Sequence, residues 1–488
     1  MRLPAALFAL AIIALGVWQL EAQKTGLVIE QAFVGATPVT TYYPQAAEPA
    51  PLVVIAHGFA GSRPLMESYA LAIAQAGYLV ASFDFEGHGR NPIPMSGDVE
   101  AIEGTTRLLV EETLRVLEAG LAHPQANGQA SLLGHSMASD IIVRAAIAQP
   151  GVGPVIAISP FSQAVSASEP ANLLMITGQW EPRLVQFAQE AVQMVNPDAR
   201  DDMVVRSSDG NVVRRAVTVP NIEHVGILYH RAGIKAAVDW LNDSFGKSDA
   251  APVPARIGWI VLVLTGTVIL AWSLAQFLPY RATPREGLSG KRFLLALLLP
   301  VALVPLVATQ LPSGFLPVLV ADYLAVHMAL YGAIQLVILR CIGLRLSVLS
   351  VGIGLLVAAY GIFVFGTALD RYIASFMPHA GRLPIIAALA VGAVPYMLAD
   401  SALAYAHPRL WQRVLIRLAF LVSLAFAVAL DFEGLFFLVL IIPVIGLFFL
   451  IFGLMGRWTE ARAGPLAAGL GLGLVLAWSL GVTFPMFV

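Results

Sequence analysis

Leu132-Leu133-Gly134-His135-Ser136-Met137-Ala138 is the stretch on which the fold turns. An apolar, strand-like run, Ala130-Ser131-Leu132-Leu133, leads into it, and it opens a helical pattern through Ile141-Ile142-Val143. Small residues flank the serine, as a sharp strand-to-helix turn requires when it presses its neighbours together. Ala138 stands where a second glycine is usual, and a methyl group still fits there. Alone, the motif is moderately specific.

Outward from this turn, between about Gly26 and Gly246, short apolar runs alternate with helical patterns. The runs are Leu52-Val53-Val54-Ile55-Ala56, Tyr78 to Phe83, Ala130 to Leu133, Val155 to Ile158 and Leu173 to Ile176. Helices are expected over Leu65 to Gln75, Val99 to Glu118 and Pro182 to Val195. Near-continuous apolar strands of this kind are buried on both faces, as in a mostly parallel sheet covered by helices. The alternation predicts βαβ units with right-handed crossovers, an α/β fold class.

Two further loops carry chemistry. The first strong strand ends in His57-Gly58-Phe59-Ala60-Gly61-Ser62, and the next in Asp84-Phe85-Glu86-Gly87-His88-Gly89-Arg90. With these in place the region resembles the α/β-hydrolase family, in particular its serine esterase, lipase and dienelactone-hydrolase-like branches. The resemblance covers about 220 residues, under half of the 488. It implies an α/β-hydrolase fold with a minimal cap, in which Ser136 is the nucleophile and the backbone N–H groups of Phe59 and Met137 form the oxyanion hole. The D-x-x-G-H-G loop is then a structural turn, with His88 and His135 buried. The acid follows a later strand, and Leu173 to Pro182 contains the strand-G-x-x-acid-Pro arrangement with Glu181. The exposed-looking Asp198, Asp201 and Asp202 are its rivals. The histidine comes last, in Pro220-Asn221-Ile222-Glu223-His224-Val225-Gly226, with His230 as the rival to His224. Ser136, Glu181, His224 is the family's chain order. His57, Gly58, Phe161 and Trp180 are candidates for the substrate pocket.

The composition divides the chain. It is 58% hydrophobic and 12% charged, with mean hydropathy +0.77. A soluble domain is nearer about one-quarter charged, so much of this chain belongs in lipid. A net charge of −2 without a basic patch offers nothing to nucleic acid. The single cysteine, Cys341, permits no intrachain disulfide and no Cys-based metal site. No metal and no cofactor are expected, and oligomeric state is not encoded in any visible pattern.

Leu3 to Leu20 is an apolar run behind Arg2, read as an uncleaved anchor, with a signal peptide as the alternative. The expected organisation is an anchor over 1–24, an α/β-hydrolase domain over 25–247, a linker over 248–256 and a membrane domain over 257–488. Eight spans lie near 257–277, 293–311, 317–338, 346–367, 383–403, 414–430, 434–455 and 465–485. Arg281, Arg285, Lys291, Arg292, Arg340, Arg345, Arg409, Arg413, Arg417, Arg457 and Arg462 fall on one side. Only Arg256, Arg371 and Arg382 fall on the other. The positive-inside rule makes the first side cytoplasmic and sets the hydrolase domain outside, periplasmic if the cell is bacterial.

Asp322, His327 and Asp400 stand out within spans, but Asp322 and Asp400 lie near span ends, where they can snorkel or cap, and no transport path is read from them. Only Phe161 to Pro170 are available for a lid, too short for a helical cap. The site is then either open to water or roofed by the membrane domain or the bilayer surface. The outer loop from Thr367 to Arg382, with Phe376, Met377 and Pro378, is the best candidate contact, and under such a roof the substrate is a lipid or another amphiphilic acyl ester. The leading function is hydrolysis of a carboxylic ester or thioester. A membrane acyltransferase with the same triad is the second reading, and a non-catalytic binding or transport module is the third.

Overall fold

The computed structural model describes residues 2–45, 48–98, 102–248, 252–280, 287–341, 344–407 and 409–487. Val99, part of the linker (249–251), Arg281 and Arg285 lie outside them. The chain divides into two compact units, a sheet unit and a helical unit.

The sheet unit holds Gly16–Val261, Asp370–Ser375 and the residues from Pro485 onward. Its strands are β1 (Leu27–Val34), β2 (Thr37–Pro44), β3 (Ala50–Ala56), β4 (Leu79–Phe83), β5 (Ala126–His135), β6 (Val155–Ile158), β7 (Asn172–Gly178), β8 (Val204–Arg206) and β9 (Val213–Val219). They form one nine-stranded sheet in the order β1-β2-β4-β3-β5-β6-β7-β9-β8. The inner strands from β4 to β9 are parallel, while the edges carried by β1, β2 and β8 are antiparallel.

Burial on both faces explains the apolar runs. Val53, Ile55, Leu133, Ile156, Ile158, Leu174 and Ile176, alternate residues of their strands, share one core with helices α2 (Glu67–Gln75) and α6 (Arg231–Phe245). Their neighbours Leu52, Val54, Leu132, Ala157 and Leu173 are equally buried. Helices α3 (Arg107–Leu121) and α4 (Met137–Ala148) pack against each other and the central strands, and α5 (Pro182–Gln193) packs on β7 and β9. The chain winds from β3 to β4 on one side and returns to β5 on the other. Loops after β3 and β5 therefore diverge from adjacent strand ends, the crevice in which open α/β sheets place their ligands.

The structure departs from the helix bounds read in the sequence. The first expected helix is split into a 3₁₀ turn, Arg63–Met66, and α2. The second begins only at Arg107, after a π turn broken at Gly104. That glycine is required, since a Cβ there would sit 2.7 Å from the Asp98 carbonyl oxygen.

The chain begins with α1 (Arg2–Ala22). The helical unit takes its first residues, through Leu15, together with Leu262–Leu369 and Phe376–Phe484. Its further helices are α7 (Arg256–Ala275), α8 (Gly290–Ala308), α9 (Ala321–Leu339), α10 (Val348–Ala359), α11 (Gly366–Tyr372), α12 (Leu383–Ala406), α13 (Leu410–Leu430), α14 (Phe432–Leu435), α15 (Leu438–Ala463) and α16 (Pro465–Thr483). A π turn, Tyr360–Phe365, joins α10 to α11. Among the described residues, nine helices are long and apolar enough to cross a membrane. Helix α12 lies between α9 and α16, with glycines at the crossings. A Cβ on Gly332 would sit 2.5 Å from the Tyr396 amide, and one on Gly473 2.7 Å from Val394 Cα. Small residues let helices approach closely where apolar burial gives no driving force.

Candidate active site

Ser136 occupies the turn between β5 and α4 with φ 55° and ψ −120°, a left-handed conformation that a residue with a Cβ rarely adopts. The neighbours permit it. A Cβ on Gly134 would lie 2.7 Å from the Ala138 carbonyl oxygen, and one on Gly58 would lie 3.0 Å from Ser136 Cβ. The strained turn thus holds the serine hydroxyl beyond the sheet, with the loop after β3 against it.

His224 Nε2 lies 2.8 Å from Ser136 Oγ, and His224 Nδ1 lies 2.5 Å from Glu181 Oε1. Three residues that are 43 and 88 positions apart in sequence are thereby joined in one line. The other carboxylate oxygen, Oε2, accepts from the Gly178 N–H and the Ser159 hydroxyl, each at 2.8 Å. Burial alone would raise the Glu181 pKa, but the bonds from His224, Gly178 and Ser159 outweigh it and hold the carboxyl below its ordinary value. The glutamate therefore stays an anion facing the imidazole. Its loop is tied to the histidine loop by Trp180 N–H to the Ile222 carbonyl at 3.1 Å and by Asn221 N–H to Gln179 Oε1 at 2.9 Å. Met137 opens α4, so its N–H has no acceptor within the helix. Phe59 follows Gly58 at the tip of the adjacent loop.

Residues 47–251 match the family described as serine aminopeptidase, S33. The first half of the chain carries an α/β-hydrolase fold. No curated protein matches the chain. Among solved structures, the hydrolase domain is similar to a predicted CIB-like hydrolase from Thermoplasma acidophilum, at 16% identity and TM-score 0.35 over 44% of this chain and 98% of that one. It is also similar to an esterase from Pyrobaculum calidifontis, at 12% identity and TM-score 0.34 over 50% and 94%. A third similar structure is a soluble variant of monoglyceride lipase from Saccharomyces cerevisiae, at 12% identity and TM-score 0.32 over 45% and 95%.

The remaining candidates in the sheet unit separate into buried and exposed residues. His57 has no exposed surface: its ring accepts from the Phe85 N–H at Nε2 (3.2 Å) and donates from Nδ1 to the Gly58 carbonyl at 2.8 Å. Its expected place in the pocket wall is corrected, because both ring nitrogens are spent on holding two loops together. Gly58 is buried beside it. Phe161 and Trp180, by contrast, are 58% and 63% exposed. The Phe161 ring lies 5.5 Å from that of the half-buried Phe187. Its N–H is held by Ser139 Oγ at 3.1 Å, and Ser162 Oγ donates to Asp140 at 2.6 Å, so the short 161–170 segment is pinned to α4.

The D-x-x-G-H-G loop is a structural turn. The Asp84 carboxylate accepts from the N–H groups of Arg63 (2.8 Å) and Arg90 (3.0 Å) and pairs with the Arg63 guanidinium at 3.2 Å. His230 caps α6 instead of reaching the serine.

Three residues support the site: Ser159 and Glu112 carried no sequence signal, and His135 was expected only to be buried. Ser159, at φ 49° after β6, braces Glu181. His135 donates from Nε2 to the His224 carbonyl at 2.8 Å, tying the nucleophile turn to the histidine loop. Burial, with the His224 charge next, pulls its pKa down to about 3, so it remains a neutral brace. Glu112, fully buried on α3, accepts from Thr37 (2.5 Å), the Glu86 N–H (2.9 Å) and Asn91 (3.0 Å).

Proposed function

We propose that this chain is a membrane-bound serine hydrolase that cleaves carboxylic esters or thioesters of amphiphilic acyl groups. The observation that carries the reading is the unbroken line Ser136–His224–Glu181 ending at a serine in a strained turn. Such a turn costs on the order of 1–3 kcal/mol and persists where function requires it.

In this reading His224 takes the proton from Ser136 Oγ as the oxygen attacks the acyl carbon. Glu181 fixes the imidazole with its proton on Nδ1 and stabilises the imidazolium that forms. The N–H groups of Met137 and Phe59 bind the developing oxyanion, usually the largest electrostatic term. The alcohol or thiol leaves with the proton from His224. Water, deprotonated by His224, then opens the acyl-enzyme.

The exposed aromatic rim of Phe161 and Trp180 favours an apolar acyl group over a small polar one, since both rings lose water on contact. The basic residues on alternate loops favour a cytoplasmic side for Arg340 and Arg345 and an outer side for the hydrolase domain. Arg413 and Arg417 add nothing to that count, because both pair with buried carboxylates of the bundle, Arg413 buried itself and Arg417 half-buried.

Initial rates on a series of acyl esters, measured with the full chain in detergent micelles, test the reading. The rate should rise with acyl length and vanish in Ser136→Ala. Equal rates in Ser136→Ala and wild type would remove the nucleophile, and a preference for the shortest acyl chain would remove the amphiphilic substrate.

A further inference from the structure

The proposed hydrolysis leaves unused a polar cavity of about 130 Å³ in the sheet unit. One face of the β1–β2 ribbon lines it, where Ile29 stands opposite Tyr42 and Gln31 opposite Thr40. Arg63 from the loop after β3, Arg90 from the loop after β4 and Arg371 from the segment Asp370–Ser375 line it too. Ser136, Glu181 and His224 do not.

The three arginines are held in place. The Arg63 N–H donates to Asp84 Oδ1 at 2.8 Å and the Arg90 N–H to Oδ2 at 3.0 Å, so one buried carboxylate fixes both backbones. Arg63 Nη1 donates to Thr40 Oγ1 at 2.7 Å. Arg90 Nη2 pairs with Asp370 at 2.5 Å, and Arg371 Nη2 with Glu21 at 2.8 Å. A guanidinium carries five N–H donors, and these bonds engage only part of each set. Among the described residues, Nη2 of Arg63 and Nη1 of Arg90 and of Arg371 make no hydrogen bond. The carboxylates of the lining are already engaged. Glu67 is held by Lys24 at 3.2 Å on Oε1 and by Arg256 on Oε2, and Asp370 by Arg90. Five cations, Lys24, Arg63, Arg90, Arg256 and Arg371, meet four carboxylates, Glu21, Glu67, Asp84 and Asp370, which leaves the cluster one positive charge. Open donors beside occupied acceptors suit an anion. Donors from three separate segments suit a tetrahedral oxyanion, whose oxygens point in several directions, better than a planar carboxylate.

The same cluster gathers the ends of three long apolar helices. Glu21 and Lys24 lie at the end of Leu3–Ala22, Arg256 opens Arg256–Ala275, and Arg371 is one residue from the end of Val348–Tyr372. With those helices in a bilayer, their ends stand at the level of the lipid headgroups. We propose that this cavity binds the phosphate group of a membrane phospholipid. Asp370–Ser375 then has a task in the sheet unit, since it supplies one of the three guanidiniums. The proposal rests on those helices spanning a membrane and does not depend on Ser136.

The test uses the full chain carrying Ser136→Ala, so that no ester is consumed, in a neutral detergent at fixed salt. Calorimetric titration with dihexanoylphosphatidylglycerol should show binding about tenfold or more tighter than with dihexanoylglycerol, which has the same acyl chains and no phosphate. Inorganic phosphate should also bind about tenfold or more weakly. Arg371→Gln and Arg90→Gln, each on a half-exposed side chain, should each weaken phospholipid binding about tenfold in monodisperse protein. Equal binding of the two lipids overturns the proposal, as does unchanged phospholipid binding in either folded variant. Should one variant fail to fold, the other decides. Inorganic phosphate bound as tightly as the phospholipid overturns the lipid assignment in favour of a soluble phosphate.

Discussion

Glu181 and Glu112 are carboxylates of one domain whose environments act in opposite directions. Glu181 is held below its ordinary value by the donors that surround it, although burial opposes them. Its stabilising contribution is therefore complete above the ordinary value of 4.5 and is lost as pH falls through the lowered one. Urea melts of wild type and Glu181→Gln should differ at neutral pH and converge in acid. Glu112 is pushed up to about 7, chiefly by burial. The folded protein then holds a proton that the unfolded chain releases, so stability falls as pH rises from about 4.5 to 7, by at most about 3 kcal/mol. Glu112→Gln should flatten that slope, and a persistent slope would contradict the assignment. In catalysis, Glu181→Gln keeps the shape but not the charge and should lower kcat by about 10⁴-fold. Ser159→Ala, which removes one bond to Glu181, should cost about tenfold.

At the scale of elements, the β5–α4 turn was legible because its steric demand is local. Gly134, Ser136 and Ala138 are within four residues of one another, and a strand pattern precedes them. Gly134→Ala places a methyl against the Ala138 carbonyl and should cost about 1–3 kcal/mol, visible as a lowered Tm. The inner parallel strands were legible for a similar reason, since burial on both faces leaves a continuous apolar run. Strands β1, β2, β8 and β9 were not. Leu27–Val34 is mostly exposed and Val213–Val219 carries Arg214 and Arg215, so neither forms an apolar run, and their pairing depends on partners distant in sequence. The same holds for Ser159, for Glu112 and for the partner of His135, since each acts through a group brought to it by the fold. Glu181 and His224 were readable only because strand ends recur in a fixed order.

At the scale of the molecule, sequence order and spatial grouping part company. Asp370–Ser375 belongs to the sheet unit, although it lies in the helical half of the sequence. Asp370 pairs with Arg90 at 2.5 Å, Arg371 with Glu21 at 2.8 Å, and the Ser375 N–H donates to Ser62 Oγ at 2.8 Å. No local pattern announces such a return, and the candidate roof contact, 367–382, is divided between the units. The lone cysteine offers a test of the proposed topology. Cys341 is exposed beside Arg340. A membrane-impermeant maleimide should leave it unlabelled in intact cells and label it after lysis, whereas labelling of intact cells would invert the topology. The central claim, that Ser136 is an activated nucleophile, is tested most directly by treating the full chain with a fluorophosphonate and locating the adduct by mass spectrometry. The account predicts one adduct, on the peptide containing Ser136, absent in Ser136→Ala and strongly slowed in His224→Ala. A folded wild-type protein that takes up no label, or takes it up elsewhere, would contradict it.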